Sequence, residues 1–255
     1  MAIERARGAV WRWIPPLSSD GATQMAIDRW LLAQHQQGWQ PPSLRFYTWR
    51  PPAISLGYHQ RRWPQHWHQL ARTAGLEIVR RPTGGRAVLH QGDLTYAVVT
   101  SGLPPQRQQA YTALCQFLIA GWRSLGIPLH YGTAGRRYAR DSHCFGTATG
   151  ADLVTREGYK LIGSAQLRQG QALLQHGAMR LAPNPALAER LFGERDQPPP
   201  GLTLPSVEAA IAALAAAARD CFGIALATQP LTEREWQQIA SYWEAPLARR
   251  SVRPD

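Results

Sequence analysis

The chain has 255 residues, of which 44% are hydrophobic and 18% charged; at roughly 100 to 200 residues per domain this is enough apolar material for a sizeable core, and it excludes a disordered chain. The longest apolar stretch, 207–218, is interrupted by Glu208 and falls short of the roughly 18 apolar residues of a membrane span, so no membrane partner is expected. A net charge of +11 admits nucleic acid, a membrane surface or an acidic protein as partner, without choosing between them.

Residues 1–16 hold no apolar run behind their basic residues, so a cleaved signal peptide is not expected and the protein reads as cytoplasmic. Residues 19–38 place Met25, Ala26, Trp30, Leu31 and Ala33 at helical spacing, with Ser or Asp before the first turn and Gly38 after the last, which predicts a helix. Residues 43–50 and 52–58 read as two strands joined by a turn at Pro51-Pro52. A helix over 63–74 and a strand over 76–81 follow. Residues 86–100 alternate around Gln91-Gly92-Asp93, the pattern of a hairpin. A helix over 106–125 precedes three strands at 151–155, 159–166 and 171–181. From Pro183 onward the material changes to short helices, the linker DQPPPG, an alanine-rich helix over 207–221 and a last helix around 236–243. The predicted fold class is α+β: a mixed β-sheet domain flanked by helices over 1–182, with a small helical C-terminal extension packed on it over 183–255.

The basic residues are 27 arginines and one lysine, Lys160. An ammonium is a compact charge that can release its proton when buried, which a guanidinium cannot do. Lys160 lies in GYKLIGSAQ on a predicted strand, where Leu161, Ile162 and Ala165 surround it with apolar material and suit it to proton transfer or to stabilising an anion; the alternative is a snorkelling surface lysine. A second segment, RRPTGGRAVLH, sets Arg80 and Arg81 at a strand end before Gly84-Gly85. Its glycines allow close backbone approach, and exposed N–H groups near guanidiniums favour a carboxylate, phosphate or thioester oxygen. No GK[ST] or GxGxxG motif accompanies it.

The cysteines are Cys115, Cys144 and Cys221, an odd number without a CxxC pair, so neither a disulfide framework nor a structural zinc is expected. Cys115 and Cys221 lie in apolar helical patterns and read as inert thiols. Cys144 follows several arginines in a polar, glycine-containing segment beside His143, and positive neighbours favour the nucleophilic thiolate. His176, in LLQHG, has no second ligand at metal spacing, so no metal site is expected.

Taken in order, RRPTGGRAVLH, CF, GYKLIGSAQ and LLQHG resemble the superfamily of lipoate and octanoate protein ligases and transferases, shared with biotin protein ligases; MAIDRWLL and RFYTWRPPAISLGYHQ resemble its first helix and first strand pair. Within it the chain is most similar to the cysteine-dependent octanoyltransferases. Arg86 stands where ligases carry a third glycine, Gly92-Asp93-Leu94-Thr95-Tyr96 follows His90 as in the transferases, and Cys144-Phe145 stands 16 residues before Lys160, where transferases carry their acyl-accepting cysteine.

The resemblance implies a biotin/lipoate ligase catalytic-domain fold, with Cys144 and Lys160 catalytic. Substrate binding would fall to Arg80, Arg81, Thr83, Gly84, Gly85, Arg86, Ala87 and His90, to Gly163, Ser164, Ala165 and Gln166, and to His176 and Gly177. The expected reaction moves octanoyl from octanoyl-acyl carrier protein through an acyl-Cys144 thioester to a lysine of a lipoyl domain, such as a glycine-cleavage H protein or a dehydrogenase E2 subunit. No cofactor is expected, nor nucleic acid, and the protein is expected to act as a monomer. Backbone N–H groups near Gly84-Gly85 or Gly163-Ser164 are the expected oxyanion donors, and Val88, Tyr96, Ile162 and Ala165 the expected wall of the acyl slot. The +11 charge then serves to attract two acidic protein substrates. The alternative within the superfamily is an ATP-dependent ligase working through an acyl-adenylate, in which Lys160 holds the carboxylate or α-phosphate and Cys144 is a bystander.

Overall fold

The computed structural model describes residues 8–132, 152–193 and 197–244. In chain order its elements are β1 (Val10–Ser19), α1 (Gly21–Gln36), β2 (Ser43–Trp49), β3 (Ala53–Leu56), α2 (His66–Ala74), β4 (Glu77–Arg80), β5 (Val88–His90), β6 (Asp93–Ser101), α3 (Arg107–Ser124), β7 (His130–Tyr131), β8 (Leu153–Val154), β9 (Lys160–Gln169), β10 (Ala172–Arg180), α4 (Pro185–Phe192), α5 (Val207–Phe222), β11 (Ala225–Thr228) and α6 (Glu233–Ala240). A mixed eight-stranded sheet has the order β11-β1-β2-β6-β10-β9-β8-β7, and a three-stranded sheet the order β4-β3-β5. Among the described residues no helix is long and apolar enough to cross a membrane.

Strands β6 and β10 are buried along nearly their whole length because helices cover both faces of the large sheet, so their residues sort alternately into two cores. Leu94, Tyr96 and Val98 of β6 join Leu44 and Phe46 of β2 against Leu114 and Leu118 of α3 and Leu214 of α5. Ala97 and Val99, with Tyr47 of β2 and Leu174 of β10, face Met25, Trp30 and Leu31 of α1. Helix α1 starts where Asp20 accepts a hydrogen bond from the Thr23 amide at 2.8 Å, satisfying one of the open N–H groups of the first turn. The small sheet has a core of its own, in which Ile54, Leu56 and Ile78 meet Trp67 and Ala71 of α2.

Apart from the two-residue strand β7, which the sequence reading lacks, the structure differs from that reading in three places. Strand β1 is absent from that reading because Pro15 and Pro16 interrupt it; prolines donate no ladder hydrogen bond, and the parallel pairing of β1 with β2 shifts register between Ile14 and Leu17, where they sit. The hairpin expected over 86–100 does not form. Strand β5 pairs with β3 in the small sheet, while β6 pairs with β2 and β10 in the large one. The Gly92 carbonyl between them accepts from the amides of Leu181 and Ala182 at the end of β10, so the chain crosses between sheets instead of folding back.

The third difference is in the tail. It holds the expected helices, and it also supplies β11, which pairs in parallel with β1 at the sheet edge. Arg12 of β1, 3% exposed, fixes this join by reaching Glu235 of α6 with two bonds of 2.7 and 2.8 Å and the carbonyls of Gln229 and Pro230. At the end of α5, Phe222 stacks on Trp11 with centroids 5.3 Å apart and meets Phe117 edge to face. Phe222→Ala is expected to cost about 3–5 kcal/mol and to lower Tm by roughly 6–20 °C. A calorimetric scan that moves by less than about 3 °C would show that the tail is not part of the cooperative core.

Candidate active site

Strands β3, β5, β6, β9 and β10, with the turn after β4, enclose a cavity of about 300 Å3, at the small end of the range for small-molecule sites. Lys160 opens β9 and is 4% exposed. Its Nζ lies 2.9 Å from Oδ2 of Asp152, which is equally buried. The pairing offsets the desolvation of both charges, and both residues line the cavity. The lysine is therefore set in the site and does not snorkel to the surface.

Of the residues singled out in the sequence, Arg81, Gly84, Gly85, His90, Lys160, Gly163, Ser164, Ala165, His176 and Gly177 line this one cavity. The others stand behind it. Arg80 bonds the carbonyls of Gly57, Tyr58 and Gln60. Thr83 holds His176 through a 2.6 Å bond, Ala87 is buried in the core of the small sheet, and Gln166 donates to Gln175 at 2.6 Å. The Arg86 carbonyl accepts from Arg81 at 2.7 Å. Val88 and Ala165 line the cavity as the slot requires. Tyr96 and Ile162 belong instead to the core under α3, from which the Tyr96 hydroxyl reaches Ser164 Oγ at 2.7 Å. Cys144 lies outside the described residues.

Arg81 shapes the glycine turn. Its guanidinium donates to Gly84 O at 2.8 Å, Arg86 O at 2.7 Å and Ser55 O at 2.7 Å, with a longer bond of 3.2 Å to Ser55 Oγ. The turn demands glycine, since Gly85 has φ +97 and a Cβ there would sit 2.7 Å from Arg81 Nη2, while a Cβ on Gly57 would overlap the Gly85 carbonyl. A similar approach occurs at Gly177, where a Cβ would sit 2.6 Å from Ser164 Oγ and 2.7 Å from Gly163 O. Its bare backbone is what lets β9 and Tyr96 pack this closely against β10 at the cavity wall.

Two hydroxyl–imidazole–carboxylate arrays flank the turn. In one, His176 places Nδ1 2.6 Å from Asp28 Oδ2 and Nε2 2.6 Å from Thr83 Oγ1. Asp28 also accepts from Arg45 at 2.6 and 2.9 Å and from the Tyr47 hydroxyl at 3.0 Å. In the other, His90 places Nδ1 2.8 Å from Asp93 Oδ2 and Nε2 2.8 Å from Ser55 Oγ, its ring stacked on Trp49 with centroids 3.8 Å apart. The sequence reading missed Asp28, Ser55, Asp93 and Asp152. Only Asp28 left a signal there, as a carboxylate on the apolar stripe of a helix, where acids are rare unless paired.

Burial pushes the Asp28 carboxyl up, but the Arg45 charge and the His176 hydrogen bond outweigh it and hold the group below the usual range. Burial also lowers His176, against the pull of Asp28, so the ring is neutral, with Nδ1–H donated to Asp28 and Nε2 accepting from Thr83. Burial raises the Cys115 thiol to about 12, and burial beside Asp220 raises Cys221, so neither is a thiolate at neutral pH.

The matches to known proteins agree with this geometry. The family model for the lipoyl protein ligase A/B catalytic domain covers residues 20–221. The chain belongs to that family. Similar curated proteins include the octanoyltransferase LipM of Moorella thermoacetica, 42% identical over 182 residues, covering 68% of this chain and 66% of the relative. That of Geobacillus kaustophilus is 38% identical over 194 residues, covering 72% and 69%. The chain thus matches about two thirds of the length of these relatives. Among solved structures, a lipoate-protein ligase A bound with ATP superposes with a TM-score of 0.75 at 20% identity, over 92% of this chain and 93% of that one. A bi-partite lipoate protein ligase from Thermoplasma acidophilum gives 0.70 at 20%, over 92% and 91%. The lipoyl ligase A/B fold is therefore shared.

Lowered folded-state values for Asp28 and His176 mean that the unfolded chain binds more protons than the folded one as the pH falls, so both groups contribute stability that is present above their unfolded values and lost on acidification. Tm is expected to fall as the pH drops from 7 toward 5, and the fall to be shallower in His176→Gln. Equal slopes in the two proteins would remove His176 from the acid response.

Proposed function

We propose that this protein is an octanoyltransferase that takes octanoyl from octanoyl-acyl carrier protein onto Cys144 and passes it to a lysine of a lipoyl domain. The observation that carries this reading is the chain's one lysine, buried on Asp152 in the wall of a cavity of ligand size. The names of the curated relatives supply the acyl group. Chain length supports the nucleophile: the Gly132 amide donates to the Asp152 carbonyl at 2.9 Å, and Asp152 is the partner of Lys160. Cys144 is eight positions before Asp152, and eight extended residues reach roughly 26–29 Å, so the chain length permits contact.

The Lys160 ammonium favours the Cys144 thiolate, which attacks the donor thioester. The new C–S bond forms as the donor sulfur departs with a proton from Lys160. The acceptor amine then attacks the octanoyl-Cys144 carbonyl, an amide forms, and the cysteine sulfur leaves as thiolate. Val88 and Ala165 line the cavity, and the backbone amides of Gly84-Gly85 or Gly163-Ser164, whose residues line it too, would serve as oxyanion donors.

Intact-protein mass spectrometry after mixing with octanoyl-acyl carrier protein, without ATP, tests this. One octanoyl adduct is expected on the wild type and none on Cys144→Ala, with adduct formation slowed about 10²–10⁴-fold in Lys160→Ala. Absence of an adduct, with octanoyl-AMP appearing once ATP and octanoate are supplied, would make the protein a ligase.

A further inference from the structure

The proposed transfer leaves one proton without a carrier. A free lysine side chain has a pKa near 10.4, so the acceptor arrives as an ammonium with three N–H bonds and ends as an amide with one. Two protons must leave its nitrogen. Lys160, having given a proton to the departing donor thiol, takes back one. Cys144 leaves as the thiolate and takes none. The second proton needs another base.

We propose that the Ser55–His90–Asp93 array is that base, resting on the octanoyl-transfer reading above. Ser55 and His90 line the same cavity as Lys160, and the chain from Ser55 Oγ through His90 Nε2 and Nδ1 to Asp93 Oδ2 is made of two 2.8 Å steps. As the N–C bond forms and the C–S bond breaks, the attacking nitrogen gives its proton to Ser55 Oγ while the Ser55 proton moves to His90 Nε2. The imidazolium so formed is paired with the Asp93 carboxylate, and it releases its proton to solvent after the product leaves. Atoms and charge balance, and no co-reactant is needed.

The choice between the two arrays rests on their carboxylates. Asp28 is already neutralised by Arg45, and Arg45 and Arg81 both oppose a charge on His176, so that array holds the turn in place. Among the described residues Asp93 has no such ion pair with an arginine: Oδ2 accepts from His90 and from Thr95 at 3.1 Å, and Oδ1, although buried, has no hydrogen-bond partner there. Its charge is available to an imidazolium. Trp49, stacked on the ring and itself donating to Thr95 Oγ1 at 2.8 Å, fixes the plane of the imidazole. Ser55 is the catalytic group here, since it touches the attacking amine; His90 and Asp93 act through it.

The two half-reactions separate this proposal from the one it rests on. In His90→Ala and in Asp93→Asn, the octanoyl adduct on Cys144 is expected to form, while single-turnover transfer from that adduct to a lipoyl domain falls about 10²–10⁴-fold. In His90→Ala, added imidazole is expected to recover at least a tenth of the lost rate, which a packing defect would not allow. Transfer within about threefold of wild type, or acylation and transfer falling by the same factor in both variants, would overturn the relay and leave the octanoyl-transfer reading standing. A wild type that forms no adduct would overturn both.

Discussion

The rest of the structure depends on one buried carboxylate. Asp28, on α1, is fully enclosed, and an ionised group so placed is costly unless it is paired and hydrogen-bonded. Its partners come from different elements: Arg45 and Tyr47 on β2 and His176 on β10. His176 extends the chain to Thr83, whose carbonyl accepts from the Tyr58 amide. Helix α1, the large sheet, the glycine turn and the loop after β3 thus share one polar network. Removing a partner from a buried pair costs about 3–5 kcal/mol, whereas replacing the whole set with apolar residues is often neutral, so what the network contributes is geometry more than stability.

That geometry has a use at the cavity. Reactive groups held by strands are placed more exactly than groups on loops, and Ser55, His90, Lys160 and His176 all stand on β-strands. Lys160 is the first residue of β9, and further along that strand the register pairs Ser164 with Gly177, both in the cavity wall. Arginine plays a supporting part: Arg80 and Arg81 donate to protein carbonyls and freeze the loops around the opening. In a chain with 27 arginines and one lysine, the guanidiniums described here brace loops, and the single lysine pairs with Asp152 in the cavity wall.

How much of this was legible in the sequence depends on range. Helices α1 and α3 and strands β2, β9 and β10 announce themselves through spacing and alternation, which are local properties. Strand β1 hides behind two prolines, and β5 and β6 read as a hairpin because alternation cannot say which sheet a strand joins. The glycine turn, Lys160 and His176 were visible through residue type and family resemblance. Asp93 and Ser55 were not: a serine on a buried strand and an acid at a turn carry no mark until the fold sets them on either side of His90, 35 and 3 residues away in sequence.

The two arrays beside the turn show how identical residue types are given different work by their surroundings. Each is a hydroxyl, an imidazole and a carboxylate at hydrogen-bonding distance. Around His176 burial opposes a charge on the ring, Arg81 and Arg45 add to that, and together they outweigh the pull of Asp28, so the ring is fixed as a neutral bridge. Around His90 the carboxylate keeps an oxygen without a partner among the described residues and Ser55 lines the cavity, so a proton arriving at Ser55 Oγ has a place to go. Arg81 touches both sides, bonding Ser55 Oγ while its field bears on His176. A guanidinium at that point occupies one of the two lone pairs of the serine oxygen, which leaves the O–H to point along the relay and the second lone pair to take a proton.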